Sequence, residues 1–436
     1  MKRYDKYKDS GVEWIGKIPE NWKVRRLGNL LTDYSEKNNS EFPLLSITRE
    51  KGVILRDLEE DENHNFIPDD LSGYKKLYLN YFGMNKMKAW QGSYGISKYT
   101  GIVSPAYYTF KISDLLYPDF FHLAIRSKTY ISFFGSASDG VRIGQWDLSK
   151  TRMKNIPFII PSFPEQQAIA SFLDDKTSKI DQTISIKEKE IELLKERRQI
   201  LIQKVITKGL DENVKFKDSG VEWIGEIPEH WEVRKLRFEF NLNKGLTITK
   251  ENLTDEGIYC VNYGEIHSKY GFEVNPKIHP LRSVSDEYLD TNQNSLLKNG
   301  DFIFADTSED LAGSGNFTYL NSNEMVFAGY HTVIARPKNS INSRFFAYEF
   351  DSQKFRNQIR TKMKGVKVFS ITQSTLKDLI IWIPPFQEQL AITIFLDTKL
   401  EKISKAISLK QQEIEKLKEY KTVLIDNVVT GKVKVS

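Results

Sequence analysis

Two long segments of this chain carry apolar residues at alternating three- and four-residue spacing, with polar residues between them. In the first, Leu173, Ile180, Lys187, Leu194 and Leu201 form one set and Thr177, Ile184, Ile191, Arg198 and Val205 the other. In the second, Leu396, Ile403, Lys410, Leu417 and Leu424 alternate with Leu400, Ile407, Ile414, Lys421 and Val428. Such an a/d seam predicts two helices of about 42 residues, each roughly 63 Å long at ~1.5 Å rise per residue. Lys187, Arg198, Lys410 and Lys421 interrupt the seam at matched positions, where a basic residue is expected to snorkel and to fix register. Pro161, Pro164, Pro384 and Pro385 are expected to prevent an earlier helix start.

The remaining chain is patterned differently. Residues 28–160 and 237–383 hold short β-branched and aromatic runs punctuated by Gly, Pro and Asn, such as FPLLSITRE, GIVSPAYYTF, DFIFADTSED and HTVIARP. Each region also has a helical stretch rich in Phe and in Arg or Lys: YPDFFHLAIRSKTYISFF and INSRFFAYEFDSQKFRNQIRTKM. Each is read as a compact α+β domain.

Self-comparison ties these parts together. YKDSGVEWIGKIPENWKVRRL, from Tyr7 to Leu27, returns as FKDSGVEWIGEIPEHWEVRKL from Phe216 to Leu236, with 16 of 21 positions identical. The helix starting near Pro161 returns near Pro384. The chain therefore reads as signature, variable region, conserved helix, twice over. The predicted boundaries are 1–160 and 211–383 for the globular domains, and 161–210 and 384–436 for the helices. The C-terminus stands to the N-terminus roughly as the first helix stands to the second signature. That implies a pseudo-twofold, quasi-circular molecule with two long antiparallel coiled-coil helices and neighbouring termini. Two divergent copies favour closed pseudo-symmetry over a solenoid of three or more units.

Composition narrows the class. At 436 residues the chain can hold two or three cores. A net charge of +5 permits a polyanionic partner without requiring one. A single cysteine, Cys260, excludes a disulfide framework and a cysteine-based zinc site. The sequence shows neither an apolar leader nor a membrane-length apolar run, so a soluble, cytoplasmic protein with no membrane association is expected.

Candidate chemistry lies in two loops. In MNKMKAWQGSYGISKYTG (84–101), Lys86, Lys88 and Lys98 interleave with Trp90, Tyr94 and Tyr99, with Gln91 and Ser93 between them. Lysines can hold phosphates there, and Gln, Ser and Tyr can read base edges. The alternative is that the aromatic residues are core and the lysines merely solvating. In the second domain, ADTSEDLAGSGNF (305–317) and AGYHTVIARP (328–337) offer Thr307, Ser308, His331 and Arg336 as DNA-contacting candidates. Asp306, Glu309 and Asp310 lack the spacing of a metal site, and carboxylates can also accept from cytosine amino groups. No P-loop or dinucleotide fingerprint appears. IPPF at 383–386 has Ile383 where an amino-methyltransferase motif needs a hydrogen-bonding side chain, and Pro68-Asp69-Asp70 lacks the rest of a nuclease triad. No catalytic or metal-ligating residue is assigned.

These residues resemble the specificity subunits of type I restriction–modification systems over essentially the whole chain. The resemblance rests on the twice-written GVEWIGxIPxxW (11–22 and 220–231) and on the P-x-x-EQ-x-x-I-x-x-FL that leads into each helix (162–173 and 385–396, with Ser162 for the first Pro). MKAWQGSYGISKYTGIVSPAY (87–107) also looks like a segment of such target-recognition domains. The resemblance implies two α+β target-recognition domains on two conserved antiparallel helices, and no catalytic site. It implies recognition of a bipartite, asymmetric double-stranded DNA target. It further implies two methyltransferase subunits that use S-adenosylmethionine, and restriction/translocase subunits that use ATP and Mg2+, with no cofactor in this chain. Trp14, Trp22, Trp223 and Trp231 then admit two roles, packing anchors between domain and helix or contact points for the partner. A coiled-coil adaptor without DNA recognition is the competing reading.

Overall fold

The computed structural model describes residues 2–56, 67–140, 146–311, 313–362 and 369–435. The chain forms two compact units, Met1–Glu188 with Lys410–Ser436, and Lys189–Leu409. The predicted helices are Phe163–Lys208 and Phe386–Val429. Each unit thus contains the start of one long helix and the end of the other. The units cross the boundaries read from sequence because the helices pack into the cores of the globular domains. Pro164 lies inside the first turn of its helix rather than ahead of it, a position where its missing N–H would have had no intrahelical acceptor anyway.

In the first unit, Leu173, Ile180, Leu424 and Val428 share one core, with Ile184 and Leu417 packed against it. Lys187 donates to Glu413 and Lys421 to Asp181, each at 2.6 Å. Rising numbers on one helix meet falling numbers on the other, so the helices run antiparallel. These seam lysines reach the rim and pair there, as expected of snorkelling side chains. Such exposed pairs contribute only about 0–1 kcal/mol each, but they penalise a slipped register. In the second unit, Ile202, Val205 and Ile206 share a core with Leu396 and Leu400.

The two variable regions prove to have one plan. In the first unit, four antiparallel strands run in the order Leu31–Asp33, Tyr108–Ile112, Phe82–Met84, Tyr94–Ile96. In the second, Phe240–Lys244, Thr332–Pro337, Phe302–Ala305 and Phe317–Leu320 repeat that order, and Phe272–Val274 adds a parallel edge. Aromatic residues fill both cores: Phe82, Phe110, Phe120 and Phe121 in one, and Phe302, Phe317, Phe346 and Phe350 in the other. In each unit two consecutive helices cover the sheet, Pro118–Ile125 with Lys128–Ser136 and Ser343–Asp351 with Gln353–Arg360.

The duplicated residues hold each domain to the helices in the same way. Trp22 is fully buried, and its indole N–H donates to Glu165 at 3.1 Å. Trp231 is fully buried and donates to Glu388 at 3.0 Å. The neighbouring Gln166 accepts from the Tyr117 amide and donates to the Leu115 and Pro161 carbonyls. Gln389 likewise accepts from the Asn342 amide and donates to the Pro384 carbonyl. Tyr117 and Asn342 are the caps of the first covering helix in each domain. Asp426 and Gln203, matched positions on the long helices, accept from the Thr129 and Lys354 amides at the start of the second covering helices.

The end of the other long helix closes each joint. Gly431, at φ +76°, lies so close to the signature that a Cβ would sit 2.4 Å from Pro19 and 3.1 Å from the Trp22 ring. Gly209, at φ +71°, ends the first helix beside Glu388 and the Trp231 ring. The chain ends meet in the first unit, where the Lys434 amide donates to the Lys2 carbonyl at 2.9 Å.

Two predictions follow from these joints. Trp22→Ala and Trp231→Ala should each destabilise the unit that contains them by about 3–5 kcal/mol, whereas the exposed Trp14 and Trp223 should cost under about 1 kcal/mol. Chemical unfolding followed by circular dichroism measures the difference. The second concerns Glu349, which is fully buried and, among the described residues, accepts only from the Trp382 amide, at 2.9 Å. Burial raises its carboxyl well above the ordinary carboxylate range. A raised acid pKa contributes stability that is intact below the unfolded value and is lost as pH rises above it. Glu349→Gln should therefore lose less thermal midpoint than the parent between pH 5 and pH 8.

Candidate nucleic-acid interface

The two candidate loops occupy the same place in the two domains. Residues 85–93 join Phe82–Met84 to Tyr94–Ile96, and residues 306–316 join Phe302–Ala305 to Phe317–Leu320. A second segment lies beside each loop. The Leu148 amide donates to the Lys86 carbonyl, and Phe369–Ser370 pairs with Thr307–Ser308. Each flanking segment then starts a short helix capped by a hydroxyl, Ser149 in the first unit and Thr372 in the second.

The structure sorts the first loop into core and surface. Tyr94 is fully buried against Phe82 and Phe134, and burial pushes its hydroxyl well above the ordinary value. Ser93 is buried as well. Neither side chain can reach DNA, which corrects the expectation for both. Lys86 donates to Asp147 at 2.8 Å. Trp90 and Gln91 are half-buried, and the Trp90 ring packs on Trp146 with centroids 5.1 Å apart. Lys88, Lys98 and Tyr99 are exposed. Lys98 opens onto a cleft that also contains Asp119 and Asp174, a poor setting for a phosphate. Sequence reasoning did not single out Lys75, which lies within the field of Lys86. Lys75 donates to the Tyr107 carbonyl at 2.7 Å, and its pKa is lowered by burial and then by Lys150, Lys37 and Lys86. Two of these lysines are already paired, Lys86 with Asp147 and Lys150 with Asp33.

The second loop divides similarly. Arg336 chelates the buried Asp301 through Nε and Nη2 and also donates to the Leu296 carbonyl. Ser308 is buried and donates to the Asp310 carbonyl. Both residues are structural, against expectation, because their polar atoms are consumed inside the domain. Thr307 and His331 instead line an open cleft with Lys244, Thr247, Asp306 and Gln373. Asp306 accepts from both Thr307 and His331. The hydroxyl-rich SITQS at 370–374 was the available signal for the far wall. No group of three or more His, Cys, Asp and Glu side chains is placed to hold a metal among the described residues.

The signature tryptophans also separate. Trp22 and Trp231 are packing anchors whose buried rings offer no surface to a partner. Trp14, stacked on Phe133 with centroids 5.6 Å apart, and Trp223 remain exposed.

Comparison with known proteins decides the family. The type I restriction modification DNA specificity domain matches twice, over residues 19–196 and 228–419. The chain belongs to this type I DNA specificity family. Each match begins within a signature and ends within a long helix, so the family's unit is the repeat described above. The chain is 25% identical over 431 residues to the type I restriction enzyme MjaVIII specificity subunit of Methanocaldococcus jannaschii, covering 96% of this chain and 94% of that one. It is 23% identical over 212 residues to the EcoKI specificity subunit of Escherichia coli, covering 48% and 44%. In fold it matches the HsdS subunit from Thermoanaerobacter tengcongensis, with TM-score 0.56 and 15% identity over 95% of this chain and 98% of that one. A chain from a study of complex assembly and conformational transition of the type I R-M system matches with TM-score 0.74 and 14% identity, covering 95% and 99%. The protein is thus a DNA-recognition subunit of the type I specificity family, with two target-recognition domains of mixed α/β structure. No helix among the described residues is long and apolar enough to cross a membrane.

Lys88→Ala should lower the slope of log K against log salt by about 1, the loss of one phosphate contact, across DNA sequences. Lys98→Ala, beside two carboxylates, should leave the slope unchanged. Titration of DNA binding at several salt concentrations separates the two.

Proposed function

We propose that this chain is the non-catalytic subunit that reads a bipartite, asymmetric DNA target and scaffolds the other subunits of a type I restriction–modification complex. The single observation that carries this reading is one frame written twice around two different loop sets. A repeated joint suits two copies of the same partner, and divergent loops suit two different half-sites. The partners are two methyltransferase subunits, which carry S-adenosylmethionine, and restriction/translocase subunits, which carry ATP and Mg2+. This chain itself holds no cofactor and works in the cytoplasm.

Exposed apolar side chains support the scaffold role. Ile186, Leu193 and Ile200 recur at heptad spacing on the first long helix, each more than half exposed. Leu409 and Val423 occupy the positions on the second helix that match Ile186 and Ile200, and both are exposed. Apolar residues repeated on a helix face outside its own seam suit docking of partner helices. Trp14 and Trp223 add one exposed aromatic residue to each copy of the signature.

Native mass spectrometry of the chain co-produced with its methyltransferase should give two methyltransferases per chain. Replacing residues 28–160 with the corresponding region of a relative should change one half of the methylated motif and leave the other intact. A single methyltransferase per chain, or altered recognition in both halves, would contradict the proposal. Assembly without any DNA sequence preference would favour a pure adaptor.

A further inference from the structure

The cleft of the second domain contains an acceptor-rich group that neither the fold nor the joints require. His331 adopts φ +55°, a left-handed conformation that residues with side chains rarely take, and its side chain is 56% exposed. Its ring is held edge-on to Tyr263, with centroids 5.3 Å apart. The Asp306 amide donates to the His331 carbonyl at 3.0 Å, and the Ile371 amide donates to the Asp306 carbonyl at 2.8 Å. The Asp306 carboxylate accepts from Thr307 Oγ1 at 2.8 Å and from His331 Nδ1 at 3.2 Å. A carboxylate can only accept, so Nδ1 carries a proton, and the ring form with no second proton offers Nε2 as an acceptor. Among the described residues nothing bonds to that Nε2.

A hydrogen-bond chain of fixed polarity lies behind this group. Arg356 Nη1 donates to Asn316 Oδ1 at 2.8 Å. Asn316 Nδ2 then donates to His267 Nδ1 at 2.8 Å, which leaves His267 Nε2 to donate to the Thr307 carbonyl at 2.8 Å. A guanidinium has no acceptor, so the polarity of every link is set from its start. Thr307 is therefore placed before any ligand arrives.

We propose that Asp306, Thr307 and His331 are the base-reading group of the second domain and recognise an exocyclic amino group, adenine N6 or cytosine N4. His267, Asn316 and Arg356 act as positioning residues. The inference rests on the DNA-reading role proposed above. Within it, the carboxylate disfavours a phosphate contact, and an acceptor, the imidazole nitrogen or the hydroxyl oxygen beside it, complements the one amino hydrogen that a paired adenine or cytosine turns to the major groove.

The test is the methylated motif produced by the chain co-assembled with its methyltransferase on a library of randomised duplexes. His331→Ala should reduce discrimination about tenfold or more at one base pair and leave the other half-site unchanged. Thr307→Val should relax the same position, and it decides the matter if the first variant fails to assemble. His267→Leu should relax that position too, whereas His267→Gln, whose amide can still accept and donate along the chain, should restore it. An unchanged motif, a uniform loss across all sequences, or undiminished methylation of duplexes in which the adenine or cytosine of that pair is replaced by an analogue lacking its exocyclic amino group would overturn the assignment. A parent complex with no sequence preference would instead overturn the DNA-reading role itself.

Discussion

The fold depends on a buried indole held at a three-way joint. Trp22 and Trp231 each sit where a signature, the start of one long helix and the end of the other converge. The ring supplies apolar area, and its N–H has one available answer, the carboxylate of Glu165 or Glu388. An unmet buried N–H costs about 1–3 kcal/mol, so indole and carboxylate specify one another. Geometry then constrains the third party. Only a residue without a Cβ can pass this close to the ring or its carboxylate in a left-handed turn, and both helices end there in glycine. In the second unit the chain runs on from Gly209 into the signature, whereas in the first the two chain ends meet through a backbone bridge. The same joint is thus closed covalently once and non-covalently once.

Much of this was legible in the sequence because it was written twice. The Glu-Gln pair and the signature Trp were visible as repeated letters, and the seam lysines as matched interruptions of a heptad. The common plan of the variable regions was hidden. Strand order depends on buried aromatic residues whose identity is free so long as volume is kept, and Phe82 and Phe302 lie in segments with little similarity otherwise. The candidate loops were found from composition, but composition cannot tell an inward tyrosine from an outward one. Tyr94 and Tyr99 stand five residues apart in the same stretch, yet one is core and the other solvent. Arg336 misled for a related reason. An arginine at the end of a strand suits a phosphate, and only the fold brings Asp301 against it.

The placement of polarity separates frame from loop. Side chains of the long helices, namely Gln166, Gln389, Asp426 and Gln203, bind backbone amides at the starts of the covering helices. Backbone groups are present whatever residue is encoded, so these contacts survive divergence of the domain sequence. Side chain-to-side chain pairs at the same places would have tied each domain to one sequence.

The strands beneath the loops extend this logic. Phe302–Ala305 and Tyr94–Ile96 are buried at every position, so their sides are committed to packing and only their ends lead to the cleft or the loop surface. A loop that leaves such a strand inherits a fixed origin without contributing to the core. Asp306, the first residue beyond its strand, is pinned through its own amide and carbonyl. Its carboxylate remains free to organise the side chains around it. Divergence of a target-recognition domain can therefore concentrate on the residues just past a strand end, where a new side chain meets neither the packed sheet nor the duplicated joint.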